Sequence, residues 1–180
     1  PAVKVVVDGA HTFALLKFSV PDLGGDYFAT SLHKWMCAPF GSGMLWVKKE
    51  NISSLWPLFA NDKPDSDDIK KFEVLGTRSF ASEEAIGYSI NFHNSIGSEK
   101  KEARLRYLKN YWCNKVKDVA GVKLHTSLKD EYSCAIGCFS IDGMEVAKVD
   151  STLFDKYKIH TVGINYEKFQ HIRVRSEEHT

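Results

Sequence analysis

The chain has 180 residues, 43% of them hydrophobic and 26% charged, which suits a soluble globular protein of one domain or parts of two. Twenty-four Lys and Arg against twenty-three Asp and Glu leave a formal charge of +1; with no basic block and no basic-aromatic stripe, no nucleic-acid partner is expected. No run reaches the ~18 apolar residues of a membrane helix, so no membrane association is expected either.

The first element is the apolar, β-branched run Val3 to Val7, which leads straight into Asp8. That pattern predicts a strand buried on both faces of a parallel sheet. An acid at its carboxyl end stands where open α/β sheets bind ligands. The opening, "PAVKVVVDGAH", lacks Met and begins just before a strand, so the chain reads as a fragment.

Residues 26 to 31, "DYFATS", predict a second strand and 43 to 48, "GMLWVK", a third, with Gly41 and Gly43 allowing the tight return between them. Lys34 then falls just past a strand end, at the same edge as Asp8. Residues 60 to 72 are rich in Pro and Asp and predict an exposed excursion without a core of its own.

A helix is predicted from an N-cap at Ser82, with Ile86, Ile90 and His93 or Asn94 on one face. A second runs from a cap at Ser98 to Val119, with Leu105, Leu108, Trp112 and Val116 as its apolar stripe. Beyond it the texture becomes short strands and one helix: 122–127, 133–141, the helical 143–157, 159–164 and 171–174. This predicts a larger α/β domain over 1–97 and a small α+β domain over 98–174. Residues 175–180, "RSEEHT", match the translation of a sequencing-adapter string and are set aside as a non-native scar.

Cys37, Cys113, Cys134 and Cys138 lack metal-ligand spacing and read as free thiols of a reducing cytoplasm. The chemistry-bearing residues instead match the parts that pyridoxal phosphate needs: a lysine for an imine, an acid at the ring nitrogen and donors for the phosphate. Lys34 is the imine candidate, against the alternative of a surface lysine. Asp8 could hold the pyridinium N–H, or simply close a turn, as Asp before Gly commonly does. His11 could reach the ring's phenolic oxygen, and Ser31 and His33 the phosphate, each against a purely structural role. Gly76, Thr77 and Arg78 could take an anion ahead of a helix, or form an ordinary capped loop. Arg173 could form a bidentate pair with a carboxylate, or be a solvated strand-end residue.

Together, "VVVDGAH", "DYFATSLHKWMCAPFGSGMLWVKKE", "GTRSF" and "HIRV" resemble, in order and spacing, the class V aminotransferases of the fold-type I pyridoxal-phosphate enzymes, in particular isopenicillin-N-epimerase-like members. The resemblance covers residues 1 to 174. It implies the C-terminal part of an α/β large domain, mainly parallel sheet with helices, plus a small, incomplete α+β domain. It further implies Lys34 as the Schiff-base lysine, Asp8 at the pyridine nitrogen and His11 beside the phenolic oxygen. Ser31 and His33 fall on the phosphate side, and Gly76 and Thr77 reach the phosphate of a neighbouring subunit's cofactor, hence a homodimer. Arg173 would hold the carboxylate of an amino-acid substrate.

The family's first half, with its phosphate-cradling turn and ring-stacking residue, has no counterpart in the chain, so an inactive fragment of an active parent is implied. A cysteine desulfurase or another pyridoxal-phosphate lyase is the nearest alternative. A desulfurase needs a nucleophilic cysteine before the carboxylate-binding arginine, and none occurs between Thr161 and Arg173.

Overall fold

A computed structural model describes residues 3 to 175 and divides the chain into two compact units, Pro1–Ser98 and Glu99–Thr180. In the first unit, β1 (Val6–Asp8), β2 (Tyr27–Ser31) and β3 (Gly43–Val47) form one sheet in that order. β1 runs parallel to β2, whereas β3 returns antiparallel, with Gly43 opposite Ser31.

The first strand is shorter and more open than its apolar sequence predicts: Val3 is 89% and Val6 68% exposed. A strand is buried on both faces only where a layer covers each face. β1 is an edge strand of this sheet, with β2 as its one neighbour among the described residues.

The core of the unit gathers around Phe28 of β2. Phe28, 1% exposed, packs its ring 6.1 Å from Phe13 and 5.9 Å from Phe18, and buried Leu15, Leu32, Trp35, Val47 and Ile52 extend the core. Full burial of one such side chain stabilises by ~2 kcal/mol.

A polar clamp secures the start of the sheet. The Asp26 carboxylate accepts from the Val5 backbone N–H at 2.9 Å, from Lys4 Nζ at 3.1 Å and from Asn51 Nδ2 at 2.9 Å. These bonds, the backbone N–H first, hold its carboxyl down at about 2.

The polar excursion is ordered by its own hydrogen bonds. Lys71, 4% exposed, donates to the Pro64 carbonyl at 2.7 Å, and Asn61 Nδ2 donates to the Lys71 carbonyl at 2.9 Å.

α1 (Phe80–Ile96) begins earlier than the sequence predicts, with Ser79 at the N-cap position. Its buried residues are Ser89 and His93, while Ile90 stays exposed. Ser89 is drawn inward because its hydroxyl meets the Cys37 carbonyl at 3.2 Å. Gly97, at φ 87°, ends the helix in a backbone conformation that suits glycine.

α2 (Ser98–Val116) opens the second unit. Ser98 does not cap it by its side chain as predicted; its Oγ lies 3.0 Å from His93 Nε2. The buried stripe is Leu105, Lys109 and Cys113, offset from the predicted Leu108, Trp112 and Val116. Lys109 can lie there at 0% exposure because its ammonium donates to the Ser127 carbonyl at 3.0 Å and to Ser133 Oγ.

Four strands follow: β4 (Val122–Leu124), β5 (Ile136–Ile141), β6 (Val162–Tyr166) and β7 (Phe169–Arg175), with α3 (Val146–Tyr157) between β5 and β6. They form an antiparallel sheet in the order β4-β5-β7-β6. Both α2 and α3 lie on one face of it. A Cβ on Gly137 would stand 2.5 Å from Trp112 of α2, and one on Gly163 2.9 Å from Val146 of α3, so glycine permits both approaches. Arg175, the first of the six residues set aside, pairs with Ile136 in β7, and 176–180 lie outside the described residues.

Candidate functional site

The site grows from the carboxyl end of β1. Gly9 follows Asp8 over the Phe28 ring, where a Cβ would fall 2.0 Å from Phe28 Cζ, so only glycine fits. Its N–H donates to the Ala29 carbonyl at 2.7 Å, and its carbonyl accepts from Thr30 Oγ1 at 3.0 Å and from the Thr12 and Phe13 N–H groups at 3.0 Å. This tight turn carries His11 back over the strand ends.

Lys34 is held by a second turn. The Leu32 N–H donates to the Ser42 carbonyl, the Ala38 N–H to the Leu32 carbonyl and the Cys37 N–H to the Lys34 carbonyl, all within 3.0–3.1 Å. Leu32, Trp35, Met36 and Ala38 are buried, and Cys37 takes φ 58° to close the turn. Anchored by these neighbours, half-buried Lys34 places Nζ 3.3 Å from His11 Nε2. In the tautomer protonated on Nδ1, His11 accepts the lysine proton.

Asp8 adopts the turn role and keeps a second capacity. Its Oδ1 accepts from the Ala10 N–H at 2.9 Å, while Oδ2 has no hydrogen-bond partner among the described residues. Because Asp8 pairs with Ala29 in a parallel register and side chains alternate, Asp8, Ala29 and Ser31 share one face of the sheet. The Ser31 hydroxyl is likewise without a partner among the described residues.

His33 braces the return to β3. Its Nδ1 lies 3.3 Å from the Ser42 carbonyl and its ring 5.7 Å from that of Phe40. Only Nε2 is left for another group.

Gly76, at φ 71°, and Thr77 lie in the exposed turn before α1, outside the contact that joins His11 to Lys34. Arg78 is turned toward Glu83, with Nη2 3.5 Å from Oε2 and Nε hydrogen-bonded to Oε1, so it serves the helix start. Arg173 lies on β7 of the second unit.

The residues of the first unit fit a cofactor that carries a carbonyl, a basic ring nitrogen and an anion. Lys34 has no carboxylate partner among the described residues, Asp8 offers a free oxygen, and Ser31 offers a free hydroxyl on the Asp8 face. Three supporting residues escaped sequence reasoning: Ser89, which braces the lysine turn, Thr30, which holds Gly9, and Phe28, which sets the space above it. The only sequence signal for any of them is the alternation of Phe28 and Thr30 in β2.

The family model described as aminotransferase class-V matches residues 2–163, and the chain belongs to that family. It is 26% identical over 174 residues to the isopenicillin N epimerase of Streptomyces clavuligerus, covering 87% of this chain and 44% of that protein. It is 30% identical over 131 residues to a probable cysteine desulfurase of Halalkalibacterium halodurans, covering 67% of this chain and 32% of the relative.

Among solved structures, the apo cysteine desulfurase of Thermococcus onnurineus superposes with a TM-score of 0.78 at 16% identity, over 96% of this chain and 47% of that one. The cystine C–S lyase C-DES, in complex with cysteine persulfide, gives 0.78 at 19% identity over 97% and 48%. The fold is therefore that of the fold-type I pyridoxal-phosphate enzymes. The chain spans less than half the length of these curated relatives. No helix among the described residues is long and apolar enough to cross a membrane.

Proposed function

We propose that the protein carrying this chain is a pyridoxal-phosphate-dependent enzyme acting on an amino-acid substrate, an epimerase or aminotransferase of the class-V family, working as a homodimer in the cytoplasm. The observation that carries this reading is the contact of Lys34 Nζ with His11 Nε2 at 3.3 Å. When bound, the cofactor supplies an electron sink that stabilises negative charge at the substrate α-carbon.

The chain's own residues would do the rest. The Lys34 amine would hold the cofactor at its carbonyl carbon, with loss of water, and as a free amine would take or return the α-proton. His11 orients that amine through the 3.3 Å contact and is the candidate partner of a phenolic oxygen. Asp8 Oδ2 holds a ring N–H and keeps the nitrogen protonated.

Ser31 and His33 Nε2 offer donors to the phosphate, and Gly76 and Thr77 reach the phosphate of the partner subunit's cofactor. Arg173 pairs with the substrate carboxylate.

A desulfurase reading is disfavoured by β6 and β7. Only Glu167 and Lys168 join these strands, with Glu167 at φ 48°, leaving neither a cysteine nor a loop to carry one. Cys113, Cys134 and Cys138 are moreover pushed up by burial, away from the thiolate such chemistry needs.

The test is to incubate the full-length protein with pyridoxal phosphate, reduce with borohydride and map the labelled peptides. Label concentrated on Lys34, and lost in Lys34→Ala, is expected. Label spread over surface lysines, or no visible absorbance band in either protein, would overturn the enzyme reading in favour of a structural module.

A further inference from the structure

Arg173 is not alone on its face of the second sheet. Register and alternation put Lys123 of β4, His125 just beyond it, Cys138 and Ser140 of β5, and His171 and Arg173 of β7 on the face opposite the one packed by α2 and α3. His125 Nε2 lies 2.7 Å from Ser140 Oγ, the His125 and His171 rings are 5.9 Å apart, and Cys138 stands directly opposite Arg173.

Two of these side chains, Arg173 and His171, lack hydrogen-bond partners among the described residues. The Arg173 guanidinium has no hydrogen-bond or carboxylate partner among the described residues, although its Nε is fully buried. The ring nitrogens of His171 are also without hydrogen-bond partners among the described residues. The nearby carboxylate of Asp142, at the end of β5, is already matched by Lys123 at 3.2 Å. A buried guanidinium nitrogen without a partner is costly, and an acceptor oxygen from water or from a ligand would satisfy it.

We propose that His171, with His125 and Ser140, forms a second anion subsite beside Arg173, so that the substrate is an amino acid whose side chain ends in a carboxylate. This rests on the proposed role of Arg173 for the α-carboxylate. His171 and Arg173 are two residues apart on one strand, ~6.6 Å along it, a span that a glutarate-length chain covers and a monocarboxylate cannot. His171 N–H donates to the distal oxygen. The Ser140 hydroxyl, oriented by His125, donates to the other.

The test titrates the 180-residue chain with glutarate and with butyrate, following the histidine ring protons by NMR and assigning His171 by its loss in His171→Gln. Glutarate is expected to move the His171 signal and to bind at least fivefold tighter than butyrate. His171→Gln should abolish that preference while leaving butyrate binding intact, and Arg173→Gln should weaken both.

Equal affinity for the two acids, or a preference that survives in His171→Gln, overturns the subsite. Should that variant fail to fold by circular dichroism, Ser140→Ala decides: a reduced preference supports the subsite and an unchanged one overturns it. No cofactor enters this measurement, so failure of pyridoxal phosphate to add at Lys34 would defeat the proposed function without touching this result.

Discussion

The Ser89 hydroxyl on α1 lies 3.2 Å from the backbone carbonyl of Cys37 and 3.1 Å from that of Ala85, its own helix neighbour. One proton is shared between a helix and the turn that presents Lys34. Ser89→Ala is expected to cost about 1 kcal/mol, read as a lowered urea midpoint with an unchanged slope. In the full-length protein it should also slow addition of pyridoxal phosphate to Lys34. An unchanged midpoint would show that the shared hydrogen bond contributes nothing.

Gly9 and Phe28 make a sharper case. A Cβ at residue 9 would meet the aromatic ring at 2.0 Å, and Phe28 is boxed in by Phe13 and Phe18. Gly9→Ala should therefore destabilise by about 2–3 kcal/mol. The smaller ring site of Phe28→Leu should recover part of that loss in the double variant, measured as a coupling energy in a double-mutant cycle.

His11 is expected to act through Lys34. His11→Leu removes the acceptor 3.3 Å from Nζ while retaining bulk. A hydrogen bond worth ~1 kcal/mol corresponds to about a fivefold change in affinity. Pyridoxal phosphate should bind more weakly by that factor, and His11→Gln should restore most of the loss by offering a new acceptor. Equal behaviour of the two variants would deny His11 its orienting role.

Acid should loosen the first unit through Asp26. Its carboxyl is held down at about 2 from an ordinary 3.8 by the Val5 N–H, Asn51 and Lys4. A carboxylate depressed on folding adds stability that is fully present above the unfolded value and is lost as pH falls through the folded one. Tryptophan-monitored unfolding should show stability declining between about pH 4 and pH 2. Asp26→Asn should be less stable at neutral pH and show a shallower decline across that window.

Lys109 tests the second unit. Burial pulls its ammonium below the ordinary lysine value, and its partners are a carbonyl and a hydroxyl rather than a carboxylate. Lys109→Met keeps the volume and removes the desolvated charge, and is expected to lie within about 1.5 kcal/mol of the parent. Lys109→Ala leaves a cavity as well, and should cost about 2–5 kcal/mol. Chemical denaturation of both variants decides; equal losses would show that volume is unimportant at this position.

Strand existence and site order were legible because both are local. The apolar run into Asp8, the glycines that return the chain to β3 and the spacing of Asp8, His11 and Lys34 require only backbone preferences over a few residues. The periodicity of the two long helices was equally plain. Their buried faces were not, since Ser89 and Lys109 lie inside on account of acceptors supplied by the distant Cys37 turn and the Ser127–Ser133 loop.

The burial of β1 was misjudged for a related reason: an apolar strand is covered only where another layer exists to cover it, and a strand's sequence does not reveal its neighbours. The sequence by itself thus determined which residue types stand in which order, and through that order the family. Only the tertiary structure decided which of them meet, as Lys34 meets His11 across a turn and His125 lies beside His171, because such contacts depend on chain segments whose separation no local preference encodes.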